Sequence, residues 1–440
     1  MTHKNGTSSI SFAAIVPIAL MLFSMLFGAG NLIFPPVLGA HAGQSFTPAI
    51  IGFLIGGVAL PVITIIAVAL SGQDILSLTA RGGKIFAVGF SMAVYLSIGA
   101  FFAIPRTGAV SFATAISPIT GWESTFASVI FNLIFFGISF FLALNPQGMV
   151  DKLGKVLTPM LLILLALLVI ISMISLPNDP APAIGEYATS PLTTGLFEGY
   201  MTMDSIASLA FGIVVISAIR RKQTDPHAPI LKATSIAAII SGVLLGLIYL
   251  GLGAMGMRMP EAQSFDDGAS LLSAAALETL GFPGQIIFGG IVLLACLTTA
   301  VGLLVATSQF FETLVPKINY TMWLTLFAIT SFIFASAGLE TVLSIAVPII
   351  IVLYPIAITL VAITIFSALT KLPVFFGFRF GVWAATAWSV TTAAAPQLLA
   401  WAPLQAANFG WVIPVAIVFA IGLSIDLSKR ETTLERLAAL

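Results

Sequence analysis

Three stretches of this chain hold residues that could do chemistry, and they use backbone and hydroxyl oxygens more than charge. The first reads FGAGNLIFPP, Phe27 to Pro36. It lies inside an apolar run long enough to cross a bilayer. Gly28 and Gly30 let the backbone leave helical geometry, and Pro35 and Pro36 pre-set the start of a following half-helix. A helix interrupted there turns unpaired N–H groups and a positive dipole end toward an anion. The carbonyls released on the other side face a cation. The second stretch, MDSIASLAFG from Met203, combines Asp204, Ser205, Ser208 and Gly212 and reads as a second break. The third runs Leu294-Ala295-Cys296-Leu297-Thr298-Thr299-Ala300. Ala295, Thr298 and Thr299 stand at i, i+3 and i+4 and share one helix face. Their hydroxyls, with a freed carbonyl nearby, are neutral oxygen ligands suited to a small, hard, monovalent cation. Each stretch also has a plainer reading. Glycines in spans often serve close helix packing, and threonines often bond back to their own helix.

Charged groups inside a membrane are costly, so each is a functional candidate. Asp204 falls closest to the middle of its span. Glu198 falls about one and a half turns earlier. Arg106 follows Pro105 in FFAIPRTGAV, and an Arg106–Glu198 pair that holds spans together is one possibility. Lys152 and Lys155, at the inner end of the fifth span, are expected to snorkel to the interface. A minor alternative has Lys155 reaching inward to stand in for a cation.

The elements that must position these residues follow from composition. The 440 residues are 59% hydrophobic and 8% charged, against roughly 25% charged in a soluble domain. This predicts an all-α integral membrane protein. Apolar runs of about 20 residues recur at 14–40, 46–70, 84–116, 122–143, 152–175, 196–219, 230–256, 282–312, 319–336, 341–366, 378–399 and 411–428, which makes twelve expected spans. With the N-terminus inside, fifteen of the 17 basic residues, Lys4 included, fall in inner segments, as the preference of Lys and Arg for cytoplasmic loops requires. Asp179, Glu186, Glu261, Asp266 and Asp267 fall outside. Both termini are therefore expected to be cytoplasmic. The Pro-rich connection LPNDPAPAIGEYATSP separates five spans (14–175) from the next five (196–366), with two more at 378–428. Five is odd, so the second set starts from the opposite side, the arithmetic of an inverted repeat. The two breaks take the first position in each set, as in transporters built from broken helices.

Several classes drop out. His3, His41 and His227 form no metal-ligand spacing, and Cys296 is alone. No nucleophile–base set is visible, so an enzyme is not expected. Zero net charge argues against nucleic acid as a partner. The first apolar run lacks a signal-cleavage site and is read as retained.

Taken together, FGAGNLIFPP, FFAIPRTGAVSF, EGYMTMDSIASLAFGIVVISAI and CLTTAVGL resemble the bacterial branched-chain amino acid:cation symporters over essentially the whole chain. The resemblance implies a LeuT-like fold, with 5+5 inverted repeats plus two helices, in the bacterial cytoplasmic (inner) membrane. It implies a substrate-binding set of Gly28, Ala29, Gly30, Asn31, Asp204, Ser205, Ser208 and Phe211. The amides of Ala29, Gly30 and Asn31 would face the substrate carboxylate. Ser24, Phe27, Ala295, Thr298 and Thr299 would hold sodium, and Arg106 and Glu198 would form a gate or ion pair. Neurotransmitter relatives of the wider fold carry an Arg between the Asn and the Pro of the first span, and this chain has none there. The expected function is sodium-coupled import of leucine, isoleucine or valine, with no cofactor beyond the coupling ion. The alternatives are a proton-coupled transporter, using Asp204, Glu198 or Lys155, and an ion channel.

Overall fold

Lipid offers no partner to a bare amide, so a chain this apolar must pair its backbone within helices. The computed structural model describes residues 10–72, 74–223, 230–265, 267–405 and 408–438, and their regular structure is entirely helical. Lys4, His3, His227 and Asp266 lie outside the described residues.

A helix, or a pair of helices, occupies each of the twelve expected windows. By length and composition, seven helices among the described residues could cross a membrane, or up to nine if each bent pair is one span. The lower figure has a physical origin, because interruption shortens helices. The first expected span is two pieces, α1 (Phe12–Leu26) and α2 (Ala29–Ala42). The third is kinked where Gly99 leaves helical geometry, and restarts as α3 (Ala103–Ser111). That break was not foreseen. The sixth is α4 (Pro191–Met201) and α5 (Asp204–Lys222), bent by 41°. This corrects the expected position of the second break. It falls at Thr202 and Met203, before Asp204, and Ser205 to Gly212 run on as continuous helix. Then come α6 (Leu231–Arg258), an unforeseen short helix α7 (Gly268–Leu280) and the 33-residue α8 (Phe282–Leu314).

The centre is tightly built. A methyl group on Gly39 of α2 would lie 1.9 Å from the Gly253 carbonyl of α6, so these backbones touch directly. Gly212 is filled in the same way by Val68, which makes it a packing residue. The periphery is apolar instead. Ile85, Phe126, Phe141, Ile163 and Ile174 are all exposed, as side chains facing lipid would be.

Near the C-terminus, buried Asp426 accepts hydrogen bonds from the N–H groups of Phe375 (3.0 Å), Phe376 (3.0 Å) and Gly377 (2.8 Å). It thereby caps the helix Phe376–Ala394 from the neighbouring helix Val412–Ser428. Asp426→Ala leaves three amides unpartnered, at a cost of about 2–4 kcal/mol. The expected result is a lowered melting temperature in detergent with substrate affinity unchanged.

Candidate functional site

The first break spans two residues. Phe27 takes ψ 90° and Gly28 φ −118°, ψ −160°, and α2 starts at Ala29. No backbone hydrogen bond joins the Ala29 or Gly30 N–H to α1. The Asn31 N–H is partly used, reaching the Gly28 carbonyl at 3.2 Å. Two open amides therefore begin α2.

On the other side, the freed Ser24 carbonyl meets α8. Thr298 Oγ1 lies 2.8 Å from it and Thr299 Oγ1 3.3 Å. Thr298 Oγ1 also lies 2.9 Å from the Leu294 carbonyl and 3.0 Å from that of Ala295. The back-bonded geometry is thus present, but it does not exhaust the cluster. A hydroxyl has one proton to give, and three carbonyls crowd around this one. Surplus oxygen acceptors in a buried place are what a small cation would satisfy. Gly28 is needed for the approach, because a Cβ there would sit 2.9 Å from Thr299 Oγ1. Phe27 stacks on Phe23 with ring centroids 5.4 Å apart.

Asn31 ties the two breaks together. Its Oδ1 accepts from the Gly28 N–H at 3.0 Å. Its Nδ2 donates to Asp204 Oδ2 at 2.6 Å and also contacts the Tyr249 hydroxyl. Tyr249, from α6, donates to the same Asp204 oxygen at 2.8 Å. Asp204 is the first residue of α5, and Met203 before it holds a left-handed φ of 67°. A non-glycine residue there is strained backbone, of the kind that clusters at functional sites.

A cavity of ≈ 30 Å³ lies between the breaks. Its walls include Gly28, Ala29, Asn31, Arg106, Asp204 and Thr299. Two waters would fill it, at roughly 10–15 Å³ each, so it must widen to admit a branched side chain. Arg106 is 9% exposed and also lines a second, larger cavity of ≈ 670 Å³ beside Gly30, Phe34 and α7.

Other expected residues fall elsewhere. Ser205 (its hydroxyl 3.2 Å from Thr64), Ser208 and Phe211 are buried in α5, off the central cavity, while Ala207 lines it. The Arg106–Glu198 pair is not formed among the described residues. Glu198 belongs to α4, and Arg106 packs its guanidinium 4.9 Å from the Phe102 ring. Lys155 does not reach inward. It is exposed and pairs with Asp151 at 2.5 Å, at the helix end where snorkelling would place it. Tyr249 was missed. A lone tyrosine in the middle of an apolar span was the available signal, since its hydroxyl needs a buried partner.

The family model for "Branched-chain amino acid transport protein" matches residues 11–429. The chain belongs to this family. It is 48% identical to the branched-chain amino acid permease BrnQ of Corynebacterium glutamicum, over 96% of this chain and 97% of that one. It is 35% identical to the branched-chain amino acid transport system 2 carrier protein of Pseudomonas aeruginosa, covering 97% and 98%. Bacillus subtilis BraB, another branched-chain amino acid permease, is 38% identical over 80% of each chain. Among solved structures, the chain resembles MHP1, a nucleobase-cation-symport-1 family transporter in a closed conformation with bromovinylhydantoin bound. The TM-score is 0.60 at 15% identity, covering 96% of this chain and 94% of that one. The shared feature is the fold. As a member of the branched-chain amino acid transport family the protein is a multi-pass membrane transporter, not an enzyme.

Proposed function

We propose that the protein imports leucine, isoleucine or valine with sodium across the bacterial cytoplasmic membrane by alternating access. In this reading twelve spans form two inverted sets of five, 14–175 and 196–366, followed by two helices at 378–428, and both termini are cytoplasmic. The substrate lies between the two breaks, with Gly28, Ala29, Gly30, Asn31 and Asp204 around its polar end. Sodium lies among Ser24, Phe27, Ala295, Thr298 and Thr299.

The observation that carries the sodium reading is the meeting of the Ser24 carbonyl with two hydroxyls of α8, at 2.8 and 3.3 Å, against the break in the first span. These oxygens are neutral, so a cation bound there adds charge to the complex. One sodium moved with a zwitterion carries one positive charge. About 100 mV contributes roughly 2.3 kcal/mol and a tenfold sodium gradient about 1.4, enough together for roughly 500-fold accumulation. Proton coupling is the second reading, favoured by the burial of Asp204, 2% exposed, on the same cavity.

Uptake of labelled leucine into vesicles, with sodium present or replaced by potassium at fixed pH, separates the two. Sodium dependence with inward current is expected. Removing the Thr298 and Thr299 hydroxyls is expected to cost sodium about 1–2 kcal/mol, by analogy with lost hydrogen-bonding partners. The sodium concentration for half-maximal uptake then rises about five- to thirtyfold. Leucine affinity at saturating sodium changes much less, by linkage. An unchanged sodium requirement in Thr298→Ala and Thr299→Ala would move the assignment to Asp204 and protons.

A further inference from the structure

We propose that Arg106 is the receptor for the substrate's carboxylate, acting with the open Ala29 and Gly30 amides at the start of α2. This rests on the reading above that the cargo is an amino acid.

The geometry converges on one place. Arg106 sits in the first turn of α3, with its own N–H bonded to the Phe102 carbonyl at 2.9 Å. Arg106 follows the break in the third span and lines one cavity with residues of the other two breaks. Its guanidinium lies against Gly30, where an added Cβ would be 3.0 Å from Nη2. Gly28 in the first break and Gly30 just after it therefore do different work. Gly28 admits Thr299 toward the cation side, and Gly30 admits Arg106 beside the open amides. The guanidinium is nine-tenths buried, its Nε has no hydrogen-bond partner, and no ion pair to it exists among the described residues.

A buried guanidinium with no carboxylate in direct contact is costly; Asp204 acts on it only from across the small cavity that both line, and Arg106 borders the larger cavity as well. Among the described residues lining the larger cavity, Arg106 is the one cation and Asp267 the one acid. A planar fork of five donors matches a carboxylate in two-point geometry. A hydrophobic acid or amino acid brings such a carboxylate, and α2 adds two N–H groups and a positive helix end.

The test compares leucine with leucinamide, which keeps the side chain and ammonium but has no carboxylate. Both are titrated calorimetrically into detergent-purified protein at saturating sodium. The wild type is expected to prefer leucine strongly. Arg106→Gln is expected to weaken leucine roughly 30- to several-thousandfold, the range for truncating one partner of a buried charge pair, and leucinamide by no more than about threefold. Arg106→Lys keeps the charge without the fork, so it retains the fold and loses about tenfold in leucine affinity. A leucine-to-leucinamide preference in either variant that matches the wild type overturns the assignment and leaves Arg106 a gate or packing residue. Absence of leucine binding in the wild type overturns the amino-acid reading itself. That outcome differs from an Arg106 failure, in which the wild type binds and discriminates normally.

Discussion

Gly30→Leu is expected to abolish leucine binding while the protein still folds and inserts. Gly30 is the second residue of α2, in ordinary helical geometry, so the backbone accepts a side chain without strain. The obstacle is what stands beside it. The first carbon of any side chain would lie 3.0 Å from Arg106 Nη2 and 3.4 Å from the Phe34 ring. For alanine that contact is with the tip of a flexible side chain, which could shift by a few tenths of an ångström. Leucine adds three more carbons in the same direction and must displace the guanidinium or occupy the space before the Ala29 and Gly30 amides. Overpacking of this kind costs about 1–3 kcal/mol in stability, which a protein of this size should survive. The substrate loses its place altogether. Binding of labelled leucine to purified protein at saturating sodium, with a melting curve in parallel, reads both effects. Leucine affinity in Gly30→Leu equal to that of the wild type would show the glycine to be a helix-packing residue.

Asp204→Asn should be nearly as damaging, and far more so than Glu198→Gln. Asn31 and Tyr249 both donate to Asp204 Oδ2, so Oδ1 keeps acceptor capacity for another donor. Asparagine must turn its one carbonyl oxygen toward these two donors, or leave them unpaired. Its NH₂ group then takes the position of Oδ1, in a residue that lines the cavity. A substrate ammonium arriving there meets donors instead of a carboxylate. The expected loss is about 2–5 kcal/mol, roughly 30- to several-thousandfold in leucine affinity. Glu198 lies on α4, does not line the central cavity and forms no pair with Arg106 among the described residues. Its amide variant should remain within about threefold of the wild type. Uptake and binding at matched expression check the contrast, and equal mild losses in both variants would remove Asp204 from the site.

Composition alone determined that this chain is helical and lives in a membrane, because no water-facing surface can be made from so few charges. The first break was equally legible. Glycines followed by paired prolines leave few backbone options, and the structure breaks at Phe27 and Gly28. The i, i+3, i+4 spacing of Ala295, Thr298 and Thr299 placed them on one face, since that relation is local to a helix. What lies opposite a helix face is not local. MDSIASLAFG is rich in small and polar residues, but the break falls at its very start, at Thr202 and Met203, where a left-handed methionine gave no sequence signal, and the rest of the stretch is helix. Tertiary structure also decided the pairings. Asp204 meets Asn31, 173 positions away, and Tyr249, 45 positions away. Glu198 was the nearest acid in sequence to Asp204, and it stands apart from Arg106. Arg106 follows the kink at Gly99 and lies against the start of α2, where Gly30 makes room for it. Spacing along a helix is set by covalent geometry and survives in sequence. Contacts between helices depend on where each one bends and how closely two backbones approach, and those are settled only when the whole bundle packs.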